Sequence, residues 1–488
     1  MKRLISPALV GLFFLSGFAN AEDLSLKQEV EQLKKQMAEL KKAQAKINIT
    51  ALRRELTEVK AHDGHDNIKW NVDFRTAFDY ISYKKQSGKT EANDIFTNRL
   101  WLNMAFAPTD NITFYGTLAY YKTYGQATGA NMGMNYFDWV VNGTANPSDE
   151  LRVKEAFWLY KNDTFLGKDI PWTASIGRRP ATDGLLVNYR EDQKAKSAIG
   201  HNINMEFDGA SFGFHLENVT GVPGMFAKVC MGRGMSNVYS RYSGIQQQAN
   251  GTYKLRGNGD YTKVSGFKNT DLVGILFNPY DDGQYSVHTS WFKAFNLPGM
   301  VDTTPSMNPM NDTYQFKQTG DMTGGIITFV SDGIGDGISD FLDDTLAFAS
   351  FAYSKTHPND GNRMLGSTKN ETGTSLYIGA NCDTPYIDNS RMGIEYNHGS
   401  KYWRSFTYGE DTLAGSKLAT RGDAYEFWLS KDLIGRALTA QIRYTYMDYK
   451  YTGSNAFFGD LGTPMDVSSN PNAIDHAQDL RLYLRYRY

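Results

Sequence analysis

The chain has 488 residues, a formal charge of −2 and a mean hydropathy of −0.48. The low hydropathy excludes a bundle of membrane-spanning helices, and the near-neutral charge gives no bulk attraction to nucleic acid. Its 30 Tyr, 28 Phe and 46 Gly, against 14 Pro, suit many aromatic strands separated by polar loops. Cys230 and Cys382 are too few for a disulfide framework; both lie in predicted loops or turns, and the sequence leaves their pairing open.

The first 21 residues have the three parts of a secretory signal peptide. Two basic residues precede an apolar run, Leu4 to Phe18, and the small-x-small cleavage site Ala19-Asn20-Ala21 follows it. We therefore expect the mature chain to start at Glu22. The alternative is a transmembrane helix, but the run is shorter than the roughly 20 residues that spanning requires, and Pro7 interrupts it.

Residues 22–61 predict a coiled-coil helix, because they are rich in Lys, Glu, Gln and Leu and contain no aromatic residue, Gly or Pro. Apolar residues recur there at alternating spacings of three and four, which forms a heptad seam: Val30, Leu33, Met37 and Leu40. We interpret the segment as a periplasmic coil that joins copies of the chain into a homotrimer. The alternative is a monomeric amphipathic helix or a flexible tether.

The period of the apolar residues changes to 2 after the linker of residues 62–67. In Ile68 to Tyr80, aromatic and aliphatic residues occupy one face, and Lys, Asn, Asp and Arg occupy the other. Such a strand requires an apolar environment on one side and water on the other. A soluble β-sandwich also alternates, so one strand does not decide between the two.

The number of strands and the lengths of their connections are more informative. Sixteen candidate strands lie at 68–80, 97–107, 112–122, 151–161, 172–178, 201–208, 211–218, 271–278, 284–294, 322–330, 345–354, 374–380, 391–407, 424–431, 438–450 and 477–488. Short connections alternate with long ones: 107–111, 208–210, 278–283 and 431–436 against 122–150, 219–270, 295–321 and 451–476. Short turns on one rim and long loops on the other predict an all-β transmembrane antiparallel barrel of about 16 strands, within a range of 14–18, over residues 68–488.

The last strand is the strongest local signal. One of its faces is apolar and aromatic, and the other carries three arginines: Leu480, Leu482, Leu484, Tyr486 and Tyr488 against Arg481, Arg485 and Arg487. An arginine at the lipid midplane costs roughly 2–4 kcal/mol, whereas one in a water-filled lumen costs little. The aromatic end also resembles the C-terminal insertion signal of outer-membrane proteins, although Tyr replaces the usual Phe or Trp.

Several motifs resemble a family of uncharacterised epsilonproteobacterial outer-membrane proteins, domain of unknown function 3373. The resemblance covers the chain from about His62 to Tyr488 and includes NRLWLNM (98–104), PWTASIGRRPATDG (171–184), FNPYDDGQYSV (277–287), AFNLPGM (294–300), GDGISDFLDD (335–344) and EYNHGSKYW (395–403). It implies an outer-membrane location and a porin-like barrel, and no catalytic residues. A coil ahead of a barrel is also similar to trimeric sugar porins, in architecture only.

Ten basic residues are candidates for lining a pore. They are Arg75, Arg99, Arg178, Arg179, Arg190, Lys194, Lys196, Arg481, Arg485 and Arg487. The five from Arg178 to Lys196 cluster in a segment that follows a strand and is long enough to fold inward. A basic wall of this kind would favour anions. The alternative is that the lumen arginines pair with Asp73, Asp79, Glu206 and Asp208 and only adjust the field in the channel.

Catalytic and metal-binding patterns are weak, and we predict no enzyme activity and no cofactor. His288 and Ser290 are spaced as in outer-membrane phospholipases, but they should point into the lumen, and no third residue orients them. A metal could be held by His62, Asp63, His65 and Asp66, but ligands on a Gly-containing linker are more often solvated. A calcium loop is suggested by Asp332, Asp336, Asp340, Asp343 and Asp344, but the EF-hand spacing and its closing Glu are missing, and a turn that uses Asp and Gly for backbone reasons accounts for them.

Two functions follow from the pattern. The first is a porin in the outer-membrane lipid that lets small hydrophilic solutes diffuse passively, with at most mild anion selectivity. The second is a plugged barrel that binds surfaces through its long loops, while its coil holds peptidoglycan or a periplasmic partner. Conductance distinguishes them, because only the first requires an open lumen.

Overall fold

A computed structural model of the chain describes residues 68–124, 151–239, 245–248, 250–255, 262–263, 266–305, 312–334, 337–407, 413–456 and 458–488. The predicted signal peptide, coil and linker, together with His62 and its neighbouring candidate metal ligands, lie outside the described residues. The predicted strands lie within them.

Sixteen long strands, numbered here in chain order, form the wall of a barrel. They are β1 Lys69–Lys85, β2 Thr90–Phe106, β3 Ile112–Thr123, β4 Arg152–Asn162, β5 Trp172–Arg179, β6 Phe207–His215, β7 Phe226–Met235, β8 Thr270–Asp281, β9 Tyr285–Asp302, β10 Tyr314–Asp332, β11 Leu346–Pro358, β12 Thr372–Asp383, β13 Ser390–Gly399, β14 Gly422–Ile434, β15 Leu438–Tyr449 and β16 Ile474–Arg487.

The wall is closed, because β1 pairs antiparallel with both β2 and β16. Asp73 lies opposite Trp101 of β2 and opposite Arg487 of β16. All the other neighbours in the wall are also antiparallel. A closed sheet leaves no edge with unpaired backbone groups, which a membrane requires. The predicted all-β antiparallel barrel of about 16 strands is confirmed.

The remaining elements are short. They are one-turn helices at Glu217–Thr220 and Asp340–Asp343, 3₁₀ turns at Tyr189–Glu191, Asp460–Gly462 and Val467–Ser469, and strands Gly184–Leu185, Lys196–Ile199, Val238–Tyr239, Ile245–Gln247, Tyr253–Leu255, Thr262–Lys263 and Phe458–Gly459. None of the described helices has the length and hydropathy to cross a membrane.

Side chains of the last strand separate cleanly between the two faces of the wall. Leu482 and Leu484 are 43% and 51% exposed on the outer face, whereas Arg481 and Arg485 are 1% and 2% exposed on the inner face. The alternation of apolar and charged residues therefore places the apolar face outward and the arginines inward.

Connections of unequal length distinguish the two rims. On the rim with both ends of the wall, the connections are 107–111, 163–171, 216–225, 282–284, 333–345, 384–389 and 435–437. On the opposite rim they are 86–89, 124–151, 180–206, 236–269, 303–313, 359–371, 400–421 and 450–473. We call these the short-turn rim and the long-loop rim.

Four predicted segments were wrong, although the strand number is right. Residues 201–206 are not a strand, because they are packed inside the lumen, and the predicted turn 208–210 lies within β6. Strand β7 falls inside the predicted loop 219–270, where its Gly and Lys residues hide the alternation. The predicted strand 391–407 ends at Gly399, and the chain then enters the lumen.

Candidate functional site in the barrel lumen

Residues 180–206, which connect β5 to β6, fold into the lumen; we call them the first inner segment. At the long-loop rim, Lys154 of the wall donates to Thr182 and Glu206, which bracket the segment. At its tip, the Asp192 carboxylate lies 3.5 Å from Arg391 Nη1 and 3.6 Å from Arg436 Nη2 at the short-turn rim. The first inner segment therefore spans the barrel from one rim to the other.

A second inner segment, residues 400–407 and 413–421, lies against the first. The Phe406 amide donates to Asn202 O at 2.9 Å, and the Asn204 amide donates to Phe406 O at 2.6 Å. Trp403 is fully buried beside wall residue Gly373. A Cβ on Gly373 would lie 2.2 Å from the Trp403 backbone nitrogen, so this close packing requires glycine.

An apolar cluster fixes both segments to the wall formed by β10, β11 and β12. Its members come from the inner segments and from inward-facing wall positions: Leu186, Val187, Ile199, Ile326, Val330, Leu346, Phe348, Ala352, Tyr377, Trp403 and Leu418. Burial of such side chains contributes roughly 1.5–3 kcal/mol each. This sector of the lumen is therefore packed like a protein core.

A network of buried charges holds the tip of the first inner segment. Arg485 donates from Nε to both oxygens of the Asp73 carboxylate, at 3.0 and 3.1 Å, and from Nη1 to Glu191 Oε2 at 2.9 Å. Tyr483 also donates to Glu191 Oε2, at 3.2 Å. On the other side of Asp73, Arg99 Nη2 lies 3.3 Å from Oδ1. Wall arginines thus bind both a wall carboxylate and a carboxylate of the inner segment.

A second buried network surrounds Glu426 of β14. Arg190 of the first inner segment donates to Glu426 Oε1 at 3.0 Å, and Lys417 of the second inner segment donates to the same carboxylate. Lys417 also donates to Glu395, which accepts from Trp428 Nε1 at 3.1 Å. Both inner segments are therefore joined to the wall by buried ion pairs, which are expensive to break from one side.

At least five of the ten predicted pore-lining residues are paired with carboxylates inside the barrel: Arg99, Arg190, Lys196, Arg481 and Arg485. Arg481 binds Asp79, and Lys196 binds Glu155. Arg75 is buried, with its guanidinium carbon 5.4 Å from the Tyr483 ring centroid. The alternative interpretation predicted that lumen arginines pair with acidic residues, and arginines do bind Asp73 and Asp79. Glu206, which was predicted to bind an arginine, binds Lys154 instead.

Arg178 does not line the lumen, which corrects its place among the candidates. It lies opposite Asp208, 3.7 Å from that carboxylate, and the two side chains are 40% and 69% exposed. It shares the outer face with Ile176, which is 64% exposed. The side chain of β5 that alternates inward at this rim is that of Arg179.

Three of the candidates have no carboxylate partner in the part of the chain that the structure describes. Arg179 lies over the inward-facing Phe157 ring, with its guanidinium carbon 5.8 Å from the centroid. Lys194 is exposed near the tip of the first inner segment. Arg487 donates to the carbonyl oxygens of Glu191 and Asp192, at 3.3 and 3.1 Å. Their positive charges are therefore the least compensated of the ten.

His201 of the first inner segment is fully buried against the wall. Its Nδ1 lies 2.9 Å from Ser350 Oγ, and its Nε2 lies 2.8 Å from Ser375 Oγ. Because Ser375 donates to Asn397 Oδ1, the ring donates through Nε2 and accepts at Nδ1, as a neutral imidazole does. Burial lowers the pKa of His201 to about 3, so the ring stays neutral at ordinary pH.

A cavity of about 640 Å³ opens beside the tip of the first inner segment at the short-turn rim. Charges of both signs line it, including Asp192, Arg391, Arg436 and Arg487. The mixed lining gives no strong preference for either sign of ion.

Sequence reasoning missed the carboxylates that organise the lumen: Glu191, Glu395 and Glu426. The alternation within β14 could have identified Glu426, because it stands between the outward-facing Tyr425 and Phe427. Glu191 carried no such signal, since the conformation of a connecting segment depends on its tertiary contacts.

Both cysteines lie in strands and not in loops or turns, and both are free. Cys230 alternates inward on β7, between the exposed Val229 and Met231, while Cys382 is on β12. His288 contacts Ser286 Oγ at 2.9 Å and belongs to the inner face of β9. Within the described ranges no group of three or more His, Cys, Asp or Glu is placed to hold a metal ion.

A closed barrel with an apolar outer face and a charged interior is the architecture of outer-membrane proteins. No curated protein sequence matches the chain. Among solved structures, OmpT of Vibrio cholerae has 10% identity and a TM-score of 0.45, covering 86% of this chain and 97% of its own. OprB of Pseudomonas putida has 11% identity, a TM-score of 0.45 and coverages of 88% and 96%. An anion-selective porin from Comamonas acidovorans has 8% identity, a TM-score of 0.45 and coverages of 86% and 100%. Structural similarity at this level of identity does not indicate which solutes this barrel conducts.

The family model for a protein of unknown function (DUF3373) matches residues 89–488, and the chain belongs to that family.

Proposed function

We propose that the protein is an outer-membrane pore through which small hydrophilic solutes diffuse passively, without catalysis or a cofactor. The observation that supports this is a part of the wall's lumen face, on β2, β3 and β9, where the side chains are polar and only half-buried: Asn103, Tyr115, Ser286 and His288. A barrel of sixteen strands is wide enough to leave an aqueous channel beside such a face.

The second candidate is a plugged barrel that serves for binding or anchoring. The apolar cluster between the inner segments and the wall favours it, because a packed core excludes water from that sector. We prefer the pore because the polar side chains named above on β2, β3 and β9 are only half-buried, whereas the apolar clusters around the inner segments involve β9 to β12, β1 and β14 to β16. In either case we propose a homotrimer in outer-membrane lipid, with the predicted coil in the periplasm beside peptidoglycan or a periplasmic partner.

We further propose that anion selectivity is mild and comes from Arg179, Lys194 and Arg487. The arginines that bind Asp73, Asp79 and Glu426 contribute little to the field in the channel, because each charge is compensated at contact distance. A cation without a carboxylate partner raises the local concentration of anions in the pore.

Planar-bilayer recordings of the purified protein under a salt gradient test both proposals. We expect stable conductance steps and a reversal potential shifted toward anions. Arg179→Gln should reduce that shift, whereas Arg178→Gln, which removes the same charge one residue away on the outer face, should leave it unchanged. Silence from correctly folded protein would favour the plugged barrel, and equal effects of the two variants would contradict the assignment to Arg179.

A further inference from the structure

A row of polar side chains crosses the outer face of β1, β2 and β3. Thr76 lies opposite Asn98, which lies opposite Lys122 on the next strand. Thr76 Oγ1 donates to Asn98 Oδ1 at 2.8 Å, and the hydroxyl of Tyr124 donates to the same oxygen at 3.3 Å. The Asn98 side-chain nitrogen has no acceptor among the residues that the structure describes.

Apolar rows flank this polar row on both sides. Toward the short-turn rim the next row is Phe74, Leu100 and Tyr120; toward the long-loop rim, the rings of Phe78 and Phe96 are 4.9 Å apart. Rows on one face of a strand are about 7 Å apart, so the polar row lies within the apolar band of about 25 Å that such barrels present to lipid. An amide donor left without a partner in hydrocarbon is unfavourable.

An apolar groove of about 470 Å³ runs beside the row on the same outer face. Its floor includes the small residues Thr76 and Ala440, and its walls include Phe96, Ile442 and Leu482. A groove with a small-residue floor and bulky walls has room for a side chain from a neighbouring molecule.

The chain before β1 indicates which molecule covers this face. The predicted oligomeric coil of residues 22–61 is followed by a six-residue linker, and β1 begins at Lys69. Six extended residues reach at most about 20 Å. A coil that joins several copies therefore holds the β1 strands of those copies close to a common axis.

We propose that the outer face of β1, β2 and β3, with the adjoining groove, is the interface between copies of this chain, where a partner copy supplies an acceptor to Asn98. This inference rests on the homotrimer in the proposed function. It assigns the interface to one side of the barrel.

Native mass spectrometry of the full chain in mild detergent tests the interface. Asn98→Leu and Ala440→Trp should each lower the trimer-to-monomer ratio by about tenfold, because each removes or blocks a contact across the interface. Ala349→Trp, which enlarges an exposed residue on the outer face of the distant strand β11, should leave the ratio unchanged. Heat-dependent gel migration checks that each variant folds into a barrel.

The effect of Asn98→Leu on the unfolding temperature and on the trimer-to-monomer ratio shows whether this face contacts a partner copy or lipid. If this face contacts lipid, the substitution removes a polar group from hydrocarbon, so it should raise the unfolding temperature and leave the oligomer intact; that result would overturn the proposal. A monomeric wild type that conducts would overturn the interface and leave the pore standing. A wild-type trimer that does not conduct, but that dissociates when Asn98→Leu is introduced, would support the interface and contradict the proposed pore.

Discussion

Glu191→Gln is the substitution that most directly tests whether buried charges hold the first inner segment in the lumen. The Glu191 carboxylate accepts from Arg485 at 2.9 Å and lies 3.7 Å from Arg443 Nη1, and the side chains of both partners are at most 3% exposed. Removing one member of a buried pair costs about 3–5 kcal/mol. Because glutamine keeps one oxygen acceptor and Arg485 keeps Asp73, we expect about 3 kcal/mol, or roughly a 150-fold lower ratio of docked to undocked tip.

Single-channel recordings should report this change as larger and more variable conductance steps, since the tip borders the cavity at the short-turn rim. Asp192→Asn is the matched control, because it removes the same charge from the adjacent residue. Its partners Arg391 and Arg436 are 36% and 80% exposed, so the loss should be about 0–1 kcal/mol. Equal conductance distributions for wild type and Glu191→Gln would refute the role given to the buried network.

Two further predictions concern the inner face. An anionic thiol reagent should lower the conductance by modifying Cys230, because that side chain alternates into the lumen beside the cation Arg179. The Cys230→Ser variant, which retains Cys382, should be unaffected, and a reagent effect that persists in it would contradict this placement. Stability should fall as the pH drops from about 6.5 toward 3, because the unfolded chain then protonates His201 while the folded ring stays neutral. Unfolding followed by tryptophan fluorescence should show a shallower fall for His201→Gln, and identical slopes would count against this account.

Many basic residues face the lumen, but several of the arginines among them are paired with carboxylates, so their number is not a measure of anion selectivity. Arg190, Arg481 and Arg485 each contact a buried carboxylate, so they stabilise the packing of the lumen more than they attract solutes. A count of lumen arginines therefore overstates anion selectivity. Cations without a carboxylate partner are the better guide, because their charge is not compensated at contact distance.

Local patterns in the sequence determined the barrel. A period of 2 with one apolar face is a property of each strand alone, and in β16 it correctly placed Arg481 and Arg485 inside and Leu482 outside. The alternation of short and long connections then set which rim carries the chain ends. The predicted number of strands was right because a strand wrongly predicted at 201–208 offset the missed strand β7. The number of strands is therefore harder to predict from the sequence than the pattern within each strand.

Only the tertiary structure decided how the lumen is filled. The segment from Arg178 to Lys196 was expected to be long enough to fold inward, but the depth that residues 180–206 reach depends on contacts far away in sequence, such as Arg190 with Glu426 and Glu191 with Arg485. Residues 400–407 continue the alternation of β13, yet they leave the wall, because Gly373 gives Trp403 room to pack. Local periodicity reports the environment on each side of a strand, whereas pairing of buried charges depends on which distant residues the closed barrel brings together.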